Sequence, residues 1–282
     1  MSETAAQQAP VSERPIGVFD SGVGGLTVLR ALRAALPAES FIYLGDTARL
    51  PYGTKSEHTV ARYALQAADE LVDRGIKCLV VACNTASAAA LPALQQRFAE
   101  LPVIGVIEPG ARAACAASGS GRIAVLATES TVRGGAYSLA IARIRADAVV
   151  TAIACALFVA LAEEGWIDGE VASAAAERYL APLRQAGAAC PDTLVLGCTH
   201  FPVLQPVIAA AAGERVRIVD SAATTAADVR ALLAAGGLLR AGGVTPSTVR
   251  FLATDAVGRF AAVGARFLGA PIAPDDVELI DL

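Results

Sequence analysis

One junction, used twice, constrains this chain most. Residues 78 to 87 read Cys-Leu-Val-Val-Ala-Cys-Asn-Thr-Ala-Ser, and residues 194 to 202 read Leu-Val-Leu-Gly-Cys-Thr-His-Phe-Pro. Each time a short apolar run ends on a cysteine, small polar residues follow, and a segment suited to a helix comes next. An apolar run of that length, bounded by turn-forming residues, is what a strand covered on both faces needs. Cys83 and Cys198 are therefore predicted at the carboxyl ends of buried strands, each at the start of a helix.

The same alternation runs through the rest of the chain. Ile16–Phe19 reads as a strand ending in Asp20-Ser21 and a glycine-rich turn. Leu26, Leu29, Leu32 and Leu36 repeat at near-helical spacing until Pro37 closes the helix. A strand over Phe41–Leu44 precedes a loop carrying Pro51, Tyr52 and Gly53. Ser56 suits the N-cap of a helix over 57–74, with Gly75 beyond its end. A strand over Val103–Ile107 ends at Glu108-Pro109. From Arg122 the pattern restarts, with strands over 123–127, 149–154, 193–197 and 216–219. Helices are expected over 133–144, 155–164, 169–186 and beyond Pro202. The last segment, 222–282, holds helices near 222–235 and 255–268 and a strand over Val249–Ala253.

Asp20 and Cys83 thus have counterparts in Thr128 and Cys198. This weak internal repeat predicts two similar doubly wound α/β domains with mainly parallel sheets. Ligands of such sheets bind beyond the carboxyl ends of the strands, so the active site is expected in the cleft between the domains. The expected boundaries are a disordered tail over 1–14, a first domain over 15–108 plus 222–282, and a second over 109–221.

Composition removes several classes of function. The chain has 282 residues, a formal net charge of -4 and 55% hydrophobic residues. That length suits two α/β domains, and the mild acidity gives nucleic acid no basic face. No apolar run approaches the roughly 20 residues that span a bilayer, and the polar, Ala-rich start lacks the core of an export signal. Six cysteines with no Cys-x-x-Cys pair then read as free thiols in a reducing cytoplasm. Cys78, Cys115, Cys155 and Cys190 sit in apolar surroundings and read as structural. The only lysines are Lys55 and Lys77, a meagre supply for a pyridoxal Schiff base.

Two thiols facing one carbon from opposite sides have a specific use. One removes a proton and the other returns one to the far face, so a stereocentre inverts. The difficult species is the carbanion. With no metal or electron sink, fixed donors must stabilise the charge developing on the adjacent carboxylate. Ser21, Asn84, Thr85 and Thr199 are placed for that at helix starts, where plain N-capping is the competing use. A helix N-terminus is also expected to lower a thiol pKa. Asp20 either orients or deprotonates the thiol of its own half, or caps the turn after it. His200, two residues beyond Cys198, suits tuning of that thiol or proton relay. Zinc on Cys198 and His200 is not expected, because no ligand pair has zinc spacing. Glu163 and Glu164 read by default as solvated carboxylates. Gly22-Val23-Gly24-Gly25 misplaces the third glycine of a dinucleotide fingerprint and is not read as one.

Four segments, IGVFDSGVGGLTVL, YLGDTARLPYG, VVACNTASA and LGCTHFP, resemble the cofactor-independent aspartate/glutamate racemase family, and within it the glutamate racemases, from about Ile16 to Leu268. The resemblance implies interconversion of L- and D-glutamate, with D-glutamate supplied to peptidoglycan, and no cofactor or metal. It implies two domains around the site, with the C-terminal segment packed on the first. It places catalytic cysteines at Cys83 and Cys198, with the first taking the proton of the D-substrate, and assisting groups at Asp20, His200 and Glu163. It puts substrate contacts at Asp20-Ser21, Tyr52-Gly53, Asn84-Thr85 and Thr199-His200. The segment before Glu163 departs from the family pattern, with Ala156 and Ala160 in place of prolines. Glutamate is the expected partner, without nucleic acid or membrane, and a homodimer is the open option for assembly. The alternatives are another two-cysteine member, such as an aspartate or hydantoin racemase or a maleate isomerase, and a non-catalytic binding protein on the same fold.

Overall fold

The computed structural model describes residues 10–184, 187, 190–241 and 248–282. In chain order the elements of the first half are β1 (Ile16–Asp20), α1 (Leu26–Ala35), β2 (Phe41–Gly45), α2 (Glu57–Asp73), β3 (Cys78–Val81), α3 (Asn84–Arg97), β4 (Val103–Gly105) and α4 (Ile107–Ala117). Then come β5 (Arg122–Ala127), α5 (Glu129–Gly134), α6 (Ala136–Ile144), β6 (Val149–Ala154), α7 (Ala156–Glu164), α8 (Gly169–Arg184), β7 (Thr193–Gly197), α9 (Gln205–Ala212) and β8 (Arg217–Asp220). The chain ends with α10 (Ser221–Ala235), β9 (Val249–Ala253), α11 (Val257–Leu268) and β10 (Val277–Leu279).

Among the described residues these strands form two wholly parallel sheets, ordered β10-β9-β2-β1-β3-β4 and β6-β5-β7-β8. The run β2-β1-β3-β4 is repeated by β6-β5-β7-β8, so the repeat seen in the sequence is a repeat of topology. Strands before residue 106 and after residue 248 share one sheet, and those between share the other; each sheet with its helices is called a lobe below. Alternate residues of the central strands feed different cores. Val18 and Val80 face the cluster that includes Leu26 and Leu29 of α1, whereas Phe19 and Val81 face the one that includes Leu71 of α2 and Leu94 of α3. Such two-sided burial is why β1, β3 and β7 read as continuous apolar runs.

Several expectations are corrected. Residues 1–9 of the expected tail lie outside the described residues, but Val11–Glu13 form a 3-10 turn. That turn is tied down by Lys77 Nζ, which bonds Ser12 O at 2.6 Å. A helix, α4, follows β4 where only a strand was expected. Pro109 falls in its first turn, where a missing N–H costs nothing, so the expected boundary at 108 cuts a helix. The helix expected over 133–144 is two, broken at Gly135, which is left-handed with φ 64°. Strand β10 was not anticipated. Residues 185–186 of the helix expected to end at 186 lie outside the described residues. None of the described helices is long and apolar enough to cross a membrane.

Candidate active site

Each sheet delivers half of the site from two adjacent inner strands, β1 and β3 in the first sheet and β5 and β7 in the second. The connections from β1 and β3 run to opposite sides of their sheet, as do those from β5 and β7. At such a switch point the loops part and leave a crevice at the carboxyl ends of the strands. Asp20 ends β1 and Cys83 follows β3, while Thr128 follows β5 and Cys198 follows β7. The two crevices face each other across one cleft of about 300 Å³, at the small end of ligand pockets. Ser21, Tyr52, Gly53, Cys83, Asn84 and Thr85 line it from one lobe, and Glu163, Cys198, Thr199 and His200 from the other. Asp20 lies buried just beneath. The residues expected at the site are thus brought together.

Cys83 occupies the N-cap of α3, where its Sγ accepts the Ala86 N–H at 3.4 Å and lies 3.5 Å from Ser21 Oγ. Burial pushes the thiol up to about 12, and the nearby Asp20 carboxylate adds to it. The bonds from Ser21 and Ala86 pull the other way and do not prevail. The expected lowering by the helix start is therefore overturned, because desolvation of a buried thiolate outweighs one turn of helix dipole. Asp20 is raised too, by its own burial, against the opposing pull of His200 and of the N–H groups of Gly25, Gly22 and Ser21. Its Oδ2 accepts the Gly22 N–H at 2.9 Å and its Oδ1 accepts Thr199 Oγ1 at 3.5 Å. Asp20 thus does cap its turn, and it also reaches the opposite lobe.

The glycine-rich turn has its own explanation. A Cβ on Gly24 would lie 2.4 Å from both His200 Nδ1 and Thr199 Oγ1, and one on Gly25 would lie 2.5 Å from Asp20 Cβ. These glycines permit close approach, within the turn and between the lobes.

On the other side, Cys198 Sγ lies 3.8 Å from His200 Nδ1, and His200 Nε2 lies 3.2 Å from Glu163 Oε1. Burial pulls the imidazole down, but the bonds to Cys198 and Glu163 and the charges of Cys198 and Asp20 more than offset it and carry His200 up to about 10. Glu163 is lowered, chiefly by the bond from His200 and further by Arg259. The surface reading of Glu163 is overturned, since its side chain is only 18% exposed. Ala156 and Ala160, the departures from the family pattern, line the same cleft.

The carboxylate-binding candidates are neutral donors. Asn84 Oδ1 accepts the Tyr137 hydroxyl at 2.7 Å, while Asn84 Nδ2 is buried without a partner among the described residues. Thr85, Thr128 and Thr131 close a hydroxyl triangle with edges of 2.9, 3.2 and 3.0 Å. The Tyr52 hydroxyl is taken by buried Asp46, which also holds Arg49 Nε at 2.7 Å and Thr254 Oγ1 at 3.0 Å. Thr128, Thr131 and Tyr137 were not singled out as site residues. The repeat signalled Thr128, which stands where Asp20 stands in the first half. Nothing local to Tyr137 signalled it. Among the described residues no three His, Cys, Asp or Glu side chains gather as a metal would require. Lys77 is held by Glu39 at 2.5 Å, at the amino end of β3, whereas the site lies at the carboxyl ends of the strands.

Paired thiols at equivalent strand ends, in a cleft of neutral donors between two repeated parallel sheets, define an enzyme of the racemase type. Residues 16–229 match the Asp/Glu/Hydantoin racemase family, and the chain belongs to it. Its relatives include a glutamate racemase of Geobacter metallireducens, 55% identical over 92% of this chain and 94% of that one. Among solved structures, glutamate racemase isoform RacE1 from Bacillus anthracis superposes with a TM-score of 0.90 at 38% identity, covering 96% of this chain and 98% of that one. Glutamate racemase from Francisella tularensis in complex with D-glutamate superposes at 0.88 with 35% identity, over 96% and 98% of the two chains. The family and fold expected from the four motifs are the ones found.

Proposed function

We propose that this enzyme interconverts L- and D-glutamate by a two-base mechanism in which Cys83 and Cys198 work on opposite faces of the α-carbon. The observation that carries the proposal is that both sulfurs line one cleft from topologically equivalent strand ends. A thiolate on one side takes the α-proton, and the thiol on the other delivers its own proton to the opposite face. The substrate leaves inverted and the two sulfurs have exchanged protonation states. The charge that develops on the carboxylate is met by Asn84 Nδ2, by the Ser21, Thr85 and Thr199 hydroxyls and by N–H groups at the start of α3. These donors are held in place in the fold, and Asn84, Thr85 and Thr199 are buried, so little reorganisation is needed as the charge develops.

Each thiol has its own assistant. Asp20 serves Cys83: burial raises both groups, so the carboxylate is a stronger base than usual for a thiol that needs one. His200, steadied by Glu163, serves Cys198. Cys83 takes the proton of D-glutamate and Cys198 that of L-glutamate, as the family resemblance implies. Tyr52 and Gly53 shape the wall, and Asn84, Thr85, Thr199 and His200 contact the substrate. The two catalytic domains follow the expected division into residues 15–108 plus 222–282 and residues 109–221, with the first boundary drawn back to the start of α4 at Ile107, a division supported by which strands share a sheet. The product D-glutamate serves peptidoglycan synthesis in the cytoplasm.

The test is an assay of the purified protein on both glutamate enantiomers. Racemisation that disappears in Cys83→Ser supports the proposal. Parental rates in that variant, or substantial turnover of aspartate, overturn it.

A further inference from the structure

The groups that hold the Cys198 half of the site in place come from the other lobe. Helix α11 follows β9, which pairs with β2 in the first sheet, yet it reaches across to α7 and His200. Arg266 Nη1 bonds Ala162 O at 2.9 Å and Glu163 O at 3.0 Å. These carbonyls belong to the last turn of α7, where a cation is favoured; Ala162 O also accepts the Gly165 N–H at 3.3 Å. The guanidinium sits against Gly165, the left-handed residue that ends α7 with φ 80°. A Cβ there would come within 2.5 Å of Arg266 Nη2. The next residue, Phe267, packs edge-on against the His200 ring, with centroids 5.1 Å apart at 72°. Two turns earlier on α11, Arg259 lies 3.4 Å from Glu163 Oε2. That pair is exposed on the arginine side and weak. The two bonds to the main chain fix where Glu163 begins, and so where its carboxylate meets His200.

We propose that Arg266 is a positioning residue for the reaction: it clamps the end of α7 so that Glu163 holds His200 against Cys198. This rests on the functional reading above. No substrate atom is asked to touch Arg266. Its effect passes through Glu163, and it makes the C-terminal segment part of the machinery of the opposite lobe.

The experiment is a double-mutant cycle on the full chain with Arg266→Ala, Arg266→Lys, Glu163→Gln and Arg266→Ala/Glu163→Gln. Rates are measured in both directions, with α-deuterated and unlabelled L- and D-glutamate. A shift of an ångström or less in a relay costs between about tenfold and a hundredfold, so Arg266→Ala is expected to lose that much in kcat/KM. Enantiomers have equal free energy, so the loss must be the same in both directions. The asymmetry appears in the isotope effects. They rise for the enantiomer that gives its proton to Cys198 and fall for the other, as in Glu163→Gln. The double variant is expected to be no slower than Glu163→Gln alone, because Arg266 has nothing left to position. Arg266→Lys keeps the charge without the fork and is expected to recover part of the rate.

Parental rates in Arg266→Ala, losses that multiply in the double variant, or isotope effects unchanged in both directions would each overturn the proposal. If Arg266→Ala does not fold, the same cycle run with Arg266→Lys decides the matter by the same criteria. A parent enzyme inactive on glutamate sinks the functional reading and this inference with it. An active parent with multiplying losses sinks this inference alone.

Discussion

Tyr137 of α6 donates its hydroxyl to Asn84 Oδ1 at 2.7 Å, joining the second lobe to the first at the cleft. The bond occupies the carbonyl end of the amide and leaves Nδ2 buried without a partner among the described residues, free to meet the substrate in the proposed reaction. In Tyr137→Phe the amide loses that constraint and its buried oxygen loses a donor. A buried hydrogen bond of this kind contributes about 1 kcal/mol, so kcat/KM is expected to fall roughly fivefold, mostly through KM. Steady-state kinetics alongside Asn84→Ala and the double variant check this. Tyr137→Phe should add nothing once Asn84 is gone.

Gly24 of the first lobe lies directly against His200 and Thr199 of the second. A methyl there would be driven into His200 and Thr199 at 2.4 Å. Overpacking of this kind costs about 1–3 kcal/mol, and here the strain falls on His200. Gly24→Ala is expected to lose more activity than stability. A thermal melt beside a rate measurement tests this, and a variant that melts early but turns over normally would contradict it.

The pH dependence of stability follows from His200. Its folded pKa is raised to about 10 by Cys198 and Glu163 against the pull of burial, above the ordinary value near 6.5. Between those values the folded state binds more protons than the unfolded one, so unfolding free energy falls as pH rises. This contribution is complete below about pH 6.5 and lost through about pH 10. Glu163→Gln weakens the bond that holds the imidazolium, so its stability should fall less steeply over that range. Denaturant melts at a series of pH values check it, and equal slopes in parent and variant would refute it.

Lys77 and Glu39 form an ion pair of 2.5 Å with side chains 0% and 2% exposed. The ammonium also bonds Ser12 O and Leu238 O, so it ties the turn over Val11–Glu13 and the segment after α10 to the base of β3. Removing one member of a buried pair leaves the other charge stranded, at a cost of roughly 3–5 kcal/mol. Lys77→Met is expected to lose stability on that scale while the folded fraction keeps its kcat. Chemical denaturation with kinetics below the transition measures both.

The sequence carried the scaffold of the site well because its signals were local. Cys83 and Cys198 stood out because a strand buried on both faces must be apolar throughout, so a polar residue after the run marks its end. Helix α4 was missed because Pro109 reads as a breaker unless its place in the first turn is known. Strand β10 was missed because three residues at a sheet edge carry no usable periodicity. The Cys83 thiol was expected to be acidic from its helix start, and only the fold shows a burial deep enough to reverse that. Tyr137 and Arg266 bond across the lobes, through contacts that no local pattern encodes.

The central claim is that sulfur acts on both faces of one carbon, and the fate of a single hydrogen tests it. The enzyme should be incubated with L-glutamate in deuterium oxide, and the D-glutamate formed in the first few per cent of reaction examined by proton NMR at the α-carbon. Two opposed bases require that every newly formed D-glutamate carry deuterium there. D-glutamate that keeps the original proton would mean one base serving both faces, and would contradict the account.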